Sequence, residues 1–240
     1  MTPIRPKKYR KSRKGFLVLL LIVLVVAGFG GYVYLVASGI TSSSEMHASN
    51  NDYLILWEGN DHSYYYLIRA NDGGRILSVR IPSTGFVEGS ERPFQGNAPS
   101  SDYELMRRIF DLKSDHVFYW SMNERSLQAL NGKLNIQASS MEDFLESLAV
   151  RGLGFIDYWR LKDFVEVIEE HDPAASINRA GFAAFLKRVG EGRRTAFVIE
   201  SMTEYPIRIR TSEASAPEPI NLLRTESVNS FRQMIEEWQK

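Results

Sequence analysis

The stretch YYYLIRANDGGRILSVRI, from Tyr64 to Ile81, decides the fold because two largely apolar runs flank a four-residue turn signal. That signal, Asn71 to Gly74, consists only of Asn, Asp and Gly, which tolerate the positive φ angles of a tight connection. We therefore predict an antiparallel β-hairpin over Tyr64 to Ile81.

Further strands are predicted on both sides of this hairpin. YLILW, from Tyr53 to Trp57, is a continuous apolar run of the kind that is buried on both faces of a sheet. The other predicted strands are HVFYW (His116 to Trp120), KLNI (Lys133 to Ile136), TAFVIE (Thr195 to Glu200) and PIRIR (Pro206 to Arg210).

Helices are predicted from start and stop signals. Three capping-box patterns mark helix starts: Ser101-x-x-Glu104, Ser121-x-x-Glu124 and Ser139-x-x-Glu142. Gly132 and Gly152 stand where such helices would stop. Two more helical stretches, 158–170 and 177–189, are separated by a proline, and the last segment places Val228, Phe231, Ile235 and Trp238 on one helical face.

The alternation of strands and helices predicts a single α/β domain whose sheet is covered by helices. The last helix is expected to dock back onto that domain. The predicted organisation is a basic tail (1–15), a transmembrane helix (16–40), a polar tether (41–51), the α/β domain (52–210), a linker or loop (211–219) and a C-terminal segment (220–240).

A membrane anchor is predicted near the N-terminus. Residues 16–40 form a run of 25 residues without a charge, and a helix needs only about 20 to cross the roughly 30 Å hydrocarbon core. The alternative is a cleaved signal peptide, whose apolar region is usually about 7–15 residues long, so the length favours a retained anchor. Because the basic residues crowd the N-terminal flank, we expect the tail in the cytoplasm and the domain outside.

Charge and cysteine content exclude several kinds of function. The chain has a net charge of zero, but seven of its 29 basic residues lie in the first fourteen positions, so the remainder is acidic. A mildly acidic body argues against a nucleic-acid partner. With no cysteine, the chain has no disulfide and no thiolate metal site.

Short catalytic motifs are absent from the sequence. It has no Walker phosphate loop, GxSxG elbow, HExxH motif or EF-hand loop, and its four histidines are too scattered to form a ligand set.

The order of the segments nevertheless resembles that of the LytR-CpsA-Psr family from Asn51 to about Val189. DYLILWEGND resembles the family's first strand, ILSVRIPSTGFV resembles its LLSIPRDTxV segment, and residues 94–98 faintly resemble its KINAAY segment. SDHVFYWSMNERSLQALNGKLNI is similar to IDHYVxVNFxGFxxLVDxLGGVxV, while DYWRLK and INRAGFAAFLKRV resemble the later YVRxR and DxxRxxRQxxFLxAL segments.

The resemblance implies an extracytoplasmic α/β sandwich that transfers glycopolymers from a polyprenyl-pyrophosphate carrier to the cell wall. Arginines would grip the pyrophosphate, and carboxylates would hold Mg²⁺, the cofactor implied if the family chemistry is retained. The weak catalytic candidates are Asp61 and Arg80. Arg160, Lys162 and Arg179 match the family's later basic positions and are the candidates for binding pyrophosphate or another anion.

The sequence departs from the family pattern at its central positions. Where the family has an arginine and an aspartate, this chain has Ile81-Pro82-Ser83-Thr84-Gly85, and an earlier arginine is missing before Asp61. Arg80 lies before the expected position, on the preceding strand, and could reach the pocket only if the turn has been rebuilt. The ligands that would hold a metal therefore stay unknown.

Three functions remain open. The favoured one is a cell-envelope relative of the transferases with reduced or no catalysis that still binds a lipid-linked glycan or cell-wall polymer. The alternatives are an active phosphotransferase with shifted pocket residues and a scaffolding module that contacts other envelope proteins.

Overall fold

The computed structural model describes residues 13–60, 62–203, 205–209 and 218–239. The helices are α1 (Arg13–Thr41), α2 (Ser44–His47), α3 (Pro99–Phe110), α4 (Glu124–Leu134), α5 (Met141–Arg151), α6 (Asp157–His171), α7 (Arg179–Glu191) and α8 (Thr225–Trp238). The strands are β1 (Asn50–Glu58), β2 (Ser63–Asn71), β3 (Arg75–Pro82), β4 (Gly85–Phe86), β5 (His116–Asn123), β6 (Arg193–Val198), β7 (Ile207–Ile209) and β8 (Glu218–Leu222).

A five-stranded sheet with the order β5-β1-β2-β3-β6 forms the centre of the domain. The predicted hairpin is confirmed: β2 and β3 are antiparallel, and Tyr65 lies opposite Ile81. β1 is antiparallel to β2 and parallel to β5, while β3 is parallel to β6. The strands β1, β3, β5 and β6 therefore all finish at one end of the sheet, which we call its carboxyl end.

Helices cover both faces of this sheet, which confirms the predicted α/β class. Successive side chains of a strand point to opposite faces, so Tyr53 and Ile55 of β1 pack in one core while Leu54 and Leu56 pack in the other. The first core is closed by α4, α5, α6 and α7, and the second by α3 and α8. β4, β7 and β8 form a small separate sheet.

A buried ion pair fixes β1 against β2. Arg69 Nε donates to Asp52 Oδ1 at 2.8 Å, and both side chains are almost completely buried. The hydroxyl of Tyr103 on α3 donates to the other carboxylate oxygen at 2.7 Å. Because these partners come from β1, β2 and α3, the pair ties the second core together.

Helix α1 is long and apolar enough to cross a membrane, by length and composition, from Gly15 to Thr41. Its most apolar window is only 6% buried, unlike the core helix of a soluble domain. The end of the helix nevertheless contacts the domain, because Val33 and Ala37 are buried and α1 packs against α6 and α7.

The segment predicted as a polar tether is largely ordered. Residues 44–47 form α2, which packs against α7, and β1 begins inside the segment at Asn50. The buried Arg188 of α7 donates to the backbone carbonyls of Ala70 and Ala48 at 2.7 and 2.5 Å. It therefore joins the chain after α2 to strand β2 at a single guanidinium, which we call the Arg188 clamp.

The C-terminal helix α8 lies on the second core. Val228, Phe231 and Ile235 are buried, and the ring of Phe231 lies 4.8 Å from that of Phe110, edge to face. Of the predicted linker 211–219, residues 211–217 lie outside the described residues, while the following two belong to β8.

Several local predictions were wrong. KLNI is not a strand: α4 continues through Gly132 to Leu134 and ends where Asn135 takes a left-handed conformation with φ of 55°. α3 begins at Pro99, before the predicted capping box. α4 and α5 are capped by Asn123 and Ser140, a short distance from the predicted serines, because neighbouring polar residues compete for the capping position.

Candidate functional site

Arg80 lies near the carboxyl end of the sheet, on the face covered by α4 to α7. Its Nη1 atom donates to Oε1 of Glu142 on α5 at 3.1 Å. The guanidinium also lies over the ring of Tyr64, 5.2 Å from the ring centroid. Arg80 and Glu142 are 39% and 47% exposed, so the pair is open to water but its charges largely offset each other.

Glu142 accepts a second hydrogen bond at the same oxygen. The hydroxyl of Tyr66 donates to Oε1 at 2.8 Å. Burial and the neighbouring Glu142 carboxylate raise the pKa of Tyr66, so the phenol stays protonated and keeps donating at neutral pH. Nε of Arg80 is buried and has no hydrogen-bond partner among the described residues. The side chains therefore form a cluster, Tyr64–Tyr66–Arg80–Glu142, organised around one carboxylate.

The turn after β3 is held by backbone contacts. The amide of buried Ser83 donates to the carbonyl of Ser63 at 3.1 Å, and the carbonyl of Thr84 accepts from the amide of Asn221 at 2.9 Å. The hydroxyl of Thr84 accepts from the side chain of Asn221 at 2.9 Å. Gly85 accepts from the amide of Phe94 at 2.8 Å. At the position of the expected aspartate, the Thr84 hydroxyl thus serves the packing of this turn, and at that of the expected arginine, Ser83 is buried in it.

A shallow pocket adjoins Arg80. It is lined by Tyr64, Arg80, Pro82, Val198, Ile199, Glu200, Ser201, Met202, Thr203 and Arg224. The second arginine of this pocket, Arg224, pairs with Glu200 at 3.0 Å. Each arginine in the pocket therefore has a carboxylate partner, which an incoming anion would have to displace.

Lys162 and Arg179 lie together in a different shallow pocket between α6 and α7. The same pocket contains Glu166 and Glu169, and Lys162 Nζ lies 3.2 Å from Glu166 Oε1. Arg160 is not part of its lining. Its guanidinium instead lies over the ring of Phe164, 5.4 Å from the ring centroid. The structure thus brings two of the three candidate anion-binding residues together and places Arg80 in a separate pocket.

The described residues do not fit a metal site. No group of three or more His, Asp or Glu side chains that could hold an ion occurs within 13–60, 62–203, 205–209 and 218–239. Asp61, the candidate acid, lies outside the described residues. The side chains of the described residues therefore do not form a binding site for Mg²⁺.

A second polar cluster, which the sequence analysis missed, organises the loop before α3. Asp102 is completely buried, and its Oδ2 accepts from Tyr65 at 2.8 Å and from the amides of Gln95 and Gly96 at 2.8 and 3.1 Å. Arg92 donates to its other oxygen at 2.9 Å. The only hint of this cluster in the sequence was the faint resemblance of residues 94–98 to the KINAAY segment. That resemblance marks the loop but not Asp102, whose carboxylate holds it in place.

Comparison with known proteins finds similarity at the level of structure alone. No family model and no curated protein matches the sequence. The structure of the Lin1025 protein from Listeria innocua has a TM-score of 0.50 at 10% identity, over 78% of this chain and 98% of that one. At this identity the similarity shows a shared fold and nothing further.

Two other solved structures are similar at lower scores. The putative transcriptional factor Lmo1026 from Listeria monocytogenes has a TM-score of 0.49 at 10% identity, over 81% of this chain and 97% of that one. The LytR-CPS2A-psr family protein YwtF (TagT), with bound octaprenyl pyrophosphate lipid, has a TM-score of 0.44 at 9% identity, over 79% and 90%. These similarities are too low to carry an argument about ligand or activity.

Proposed function

We propose that this chain is a membrane-anchored cell-envelope protein, similar to the LytR-CpsA-Psr glycopolymer transferases, that binds a lipid-linked glycan without transferring it. The tail lies in the cytoplasm and the domain outside. The observation that carries the proposal is the pairing of Arg80 with Glu142, because Arg80 is the arginine nearest to the position where the resemblance expects one. The order of segments and the helix Gly15–Thr41 support the envelope location.

The arrangement around Arg80 is poorly suited to phosphoryl transfer. That reaction needs positively charged groups directed at the oxygens where negative charge develops. Each such group can lower the reaction barrier by several kcal/mol. Here the guanidinium is neutralised by Glu142 and the adjacent turn is closed by Asn221 and Phe94. We infer that catalysis is absent or strongly reduced.

The pocket between α6 and α7 is the better place for a bound anion. Lys162 and Arg179 line it with positive charge, and both helices that form it, α6 and α7, contact α1. A pyrophosphate on a polyprenyl chain would reach this pocket from the membrane beside α1. The nearby Glu166 and Glu169 reduce the positive potential, which fits weak binding without strong activation of the phosphates.

The full chain, purified in mild detergent from a host with a peptidoglycan wall, tests this proposal. Mass spectrometry should find co-purified polyprenyl phosphate or pyrophosphate, with the bound amount strongly reduced by Lys162→Ala and Arg179→Ala. Arg107→Ala is the matched control, because Arg107 is an exposed, ion-paired arginine on α3, across the sheet. The native chain should not release the glycan from a polyprenyl-pyrophosphate donor in the presence of Mg²⁺.

Two results would overturn the proposal in different directions. Turnover of the lipid-linked glycan would establish an active phosphotransferase that works with a shifted set of residues. Absence of any bound polyprenyl lipid in the native chain, with no response to Mg²⁺, would leave the scaffolding module as the better description.

A further inference from the structure

An exposed apolar surface lies where α5 connects to α6. Four large apolar side chains of this region are half exposed or more: Val150 (91%), Phe155 (55%), Ile156 (62%) and Trp159 (50%). Large apolar side chains that cluster on a surface generally mark a contact with a partner or a membrane. We call these four residues the α5–α6 surface.

The α5–α6 surface lies beside the membrane-spanning candidate helix, not beyond its end. The rings of Trp159 and Phe29 are 5.0 Å apart, edge to face. Phe29 precedes the last residue of α1, Thr41, by twelve positions, which corresponds to about 18 Å along a helix axis. The domain therefore overlaps α1 over a length of that size.

The length of α1 places this overlap within reach of the bilayer. The apolar helix from Gly15 to Thr41 has 27 residues and is therefore about 40 Å long, longer than a hydrocarbon core of about 30 Å. Counting about 20 residues from Gly15 puts the boundary on the domain's side near Tyr34. Tyr32 and Tyr34 are 54% and 66% exposed, as expected for the tyrosines that sit at membrane–water interfaces. Phe29, and with it Trp159, lies on the hydrocarbon side of that boundary.

Two charged side chains next to the α5–α6 surface, Arg151 and Asp157, are paired with each other. Arg151 and Asp157 form a two-pronged ion pair with distances of 2.5 and 2.9 Å, and the Asp157 side chain is only 6% exposed. Nε of Arg151 donates to the carbonyl of Leu134 at 2.6 Å, and the amide of Gly154 donates to Asp157 at 2.7 Å. Since unpaired charges are what makes insertion into hydrocarbon most costly, the mutual pairing of Arg151 and Asp157 lowers the cost of bringing this connection into lipid.

We propose that the α5–α6 surface inserts into the bilayer leaflet on the domain's side, as a second membrane contact next to α1. The inference rests on the proposed membrane anchoring. It commits to lipid as the occupant because the surface is continuous with α1 through the contact between Trp159 and Phe29. Arg160 and Lys162 follow the surface on α6. In the proposed placement we expect their charged ends to extend to the lipid headgroups.

The chain has no cysteine, so single labelling sites can be introduced without background. Full-length Phe155→Cys and Ile156→Cys would each carry an environment-sensitive fluorophore and be reconstituted in vesicles of phosphatidylethanolamine and phosphatidylglycerol. Spin-labelled lipids would then quench labels that contact the acyl chains. Val25→Cys, within α1, is the positive control, and Ser101→Cys, exposed on α3 across the sheet, is the negative control.

We expect quenching at positions 155 and 156 to approach that at position 25 and to exceed that at position 101 several-fold. Both side chains are more than half exposed, so the substitutions should leave the melting temperature unchanged. Quenching at position 25 but not at positions 155 and 156 would overturn this inference and leave the proposed anchor intact. The same conclusion would hold if a protein partner, instead of lipid, covered the labels. No quenching at position 25 would instead overturn the proposed membrane anchoring, and the inference with it.

Discussion

Glu142→Gln should turn the cluster around Arg80 into a measurable anion site. The substitution removes the negative charge but keeps an oxygen that can accept from Tyr66, so the fold has little reason to change. The ion pair is about half exposed, and such pairs contribute only about 0–1 kcal/mol to stability. The melting temperature should accordingly shift by less than about 4 °C.

The gain in affinity follows from the geometry of the pair. Arg80 Nη1 lies 3.1 Å from Glu142, so a phosphate oxygen bound by Arg80 would lie close to the carboxylate. At a separation of about 5 Å and an effective dielectric constant of about 40–80, two unit charges repel each other by roughly 0.8–1.7 kcal/mol. Because about 1.4 kcal/mol corresponds to a factor of ten, the Kd for inorganic pyrophosphate should fall about four- to fifteenfold.

Isothermal titration of the full chain in detergent with inorganic pyrophosphate measures this change. Glu104→Gln is the matched control, because it removes the same charge from an exposed ion pair with Arg107 on α3. An unchanged Kd in Glu142→Gln would refute the reasoning. So would a gain that survives in the double variant Arg80→Ala/Glu142→Gln, since the anion would then bind elsewhere.

Three further substitutions test the two cores by thermal unfolding. Phe231→Ala should cost about 3–5 kcal/mol and lower the melting temperature by about 6–20 °C, because the ring is completely buried. Arg69→Met should cost about 3–5 kcal/mol at neutral pH, since it strands a buried carboxylate at Asp52. Gly181→Ala should cost about 1–2 kcal/mol net, because its Cβ would lie 2.5 Å from the ring of Phe118, and better helix propensity offsets only part of the clash.

Each of these substitutions has an outcome that would contradict its physical reason. Ser230 lies on the exposed side of α8. If Phe231→Ala lowers the free energy of unfolding no more than Ser230→Ala does, helix α8 is not docked on the core. For Arg69→Met, burial raises the pKa of Asp52 and the lost guanidinium would raise it further. The native chain itself loses stability above the ordinary Asp pKa of about 4, so the additional loss in the variant should appear only above the raised pKa of native Asp52 and then grow with pH. A loss independent of pH, or a Gly181→Ala variant as stable as the native chain, would contradict the respective assignments.

The central hairpin could be predicted because its signal is local. Asn71 to Gly74 specify a tight turn between adjacent strands, and Gly74 indeed has a positive φ of 73°. KLNI failed because four residues carry too little pattern to distinguish a strand from the last turn of a helix, and the left-handed Asn135 that ends α4 has no marker as strong as glycine.

The candidate site was less predictable because its decisive contact is not local. Glu142 lies 62 residues after Arg80 and reaches it only because α5 packs over the sheet. In the sequence Glu142 could be interpreted as part of a helix cap, which gave no reason to pair it with Arg80. The division of the basic residues into two pockets likewise depends on the orientation of α6, which hydrophobic periodicity defines only coarsely.

The Arg188 clamp limits how far the domain can move away from helix α1. An unstructured connection of eleven residues would let the domain move over a root-mean-square distance of about 17–20 Å from its anchor. Because the guanidinium of Arg188 holds the chain after α2 to β2, that freedom is lost. Under the proposed membrane anchoring, a glycan that this domain binds would therefore have to approach the membrane surface.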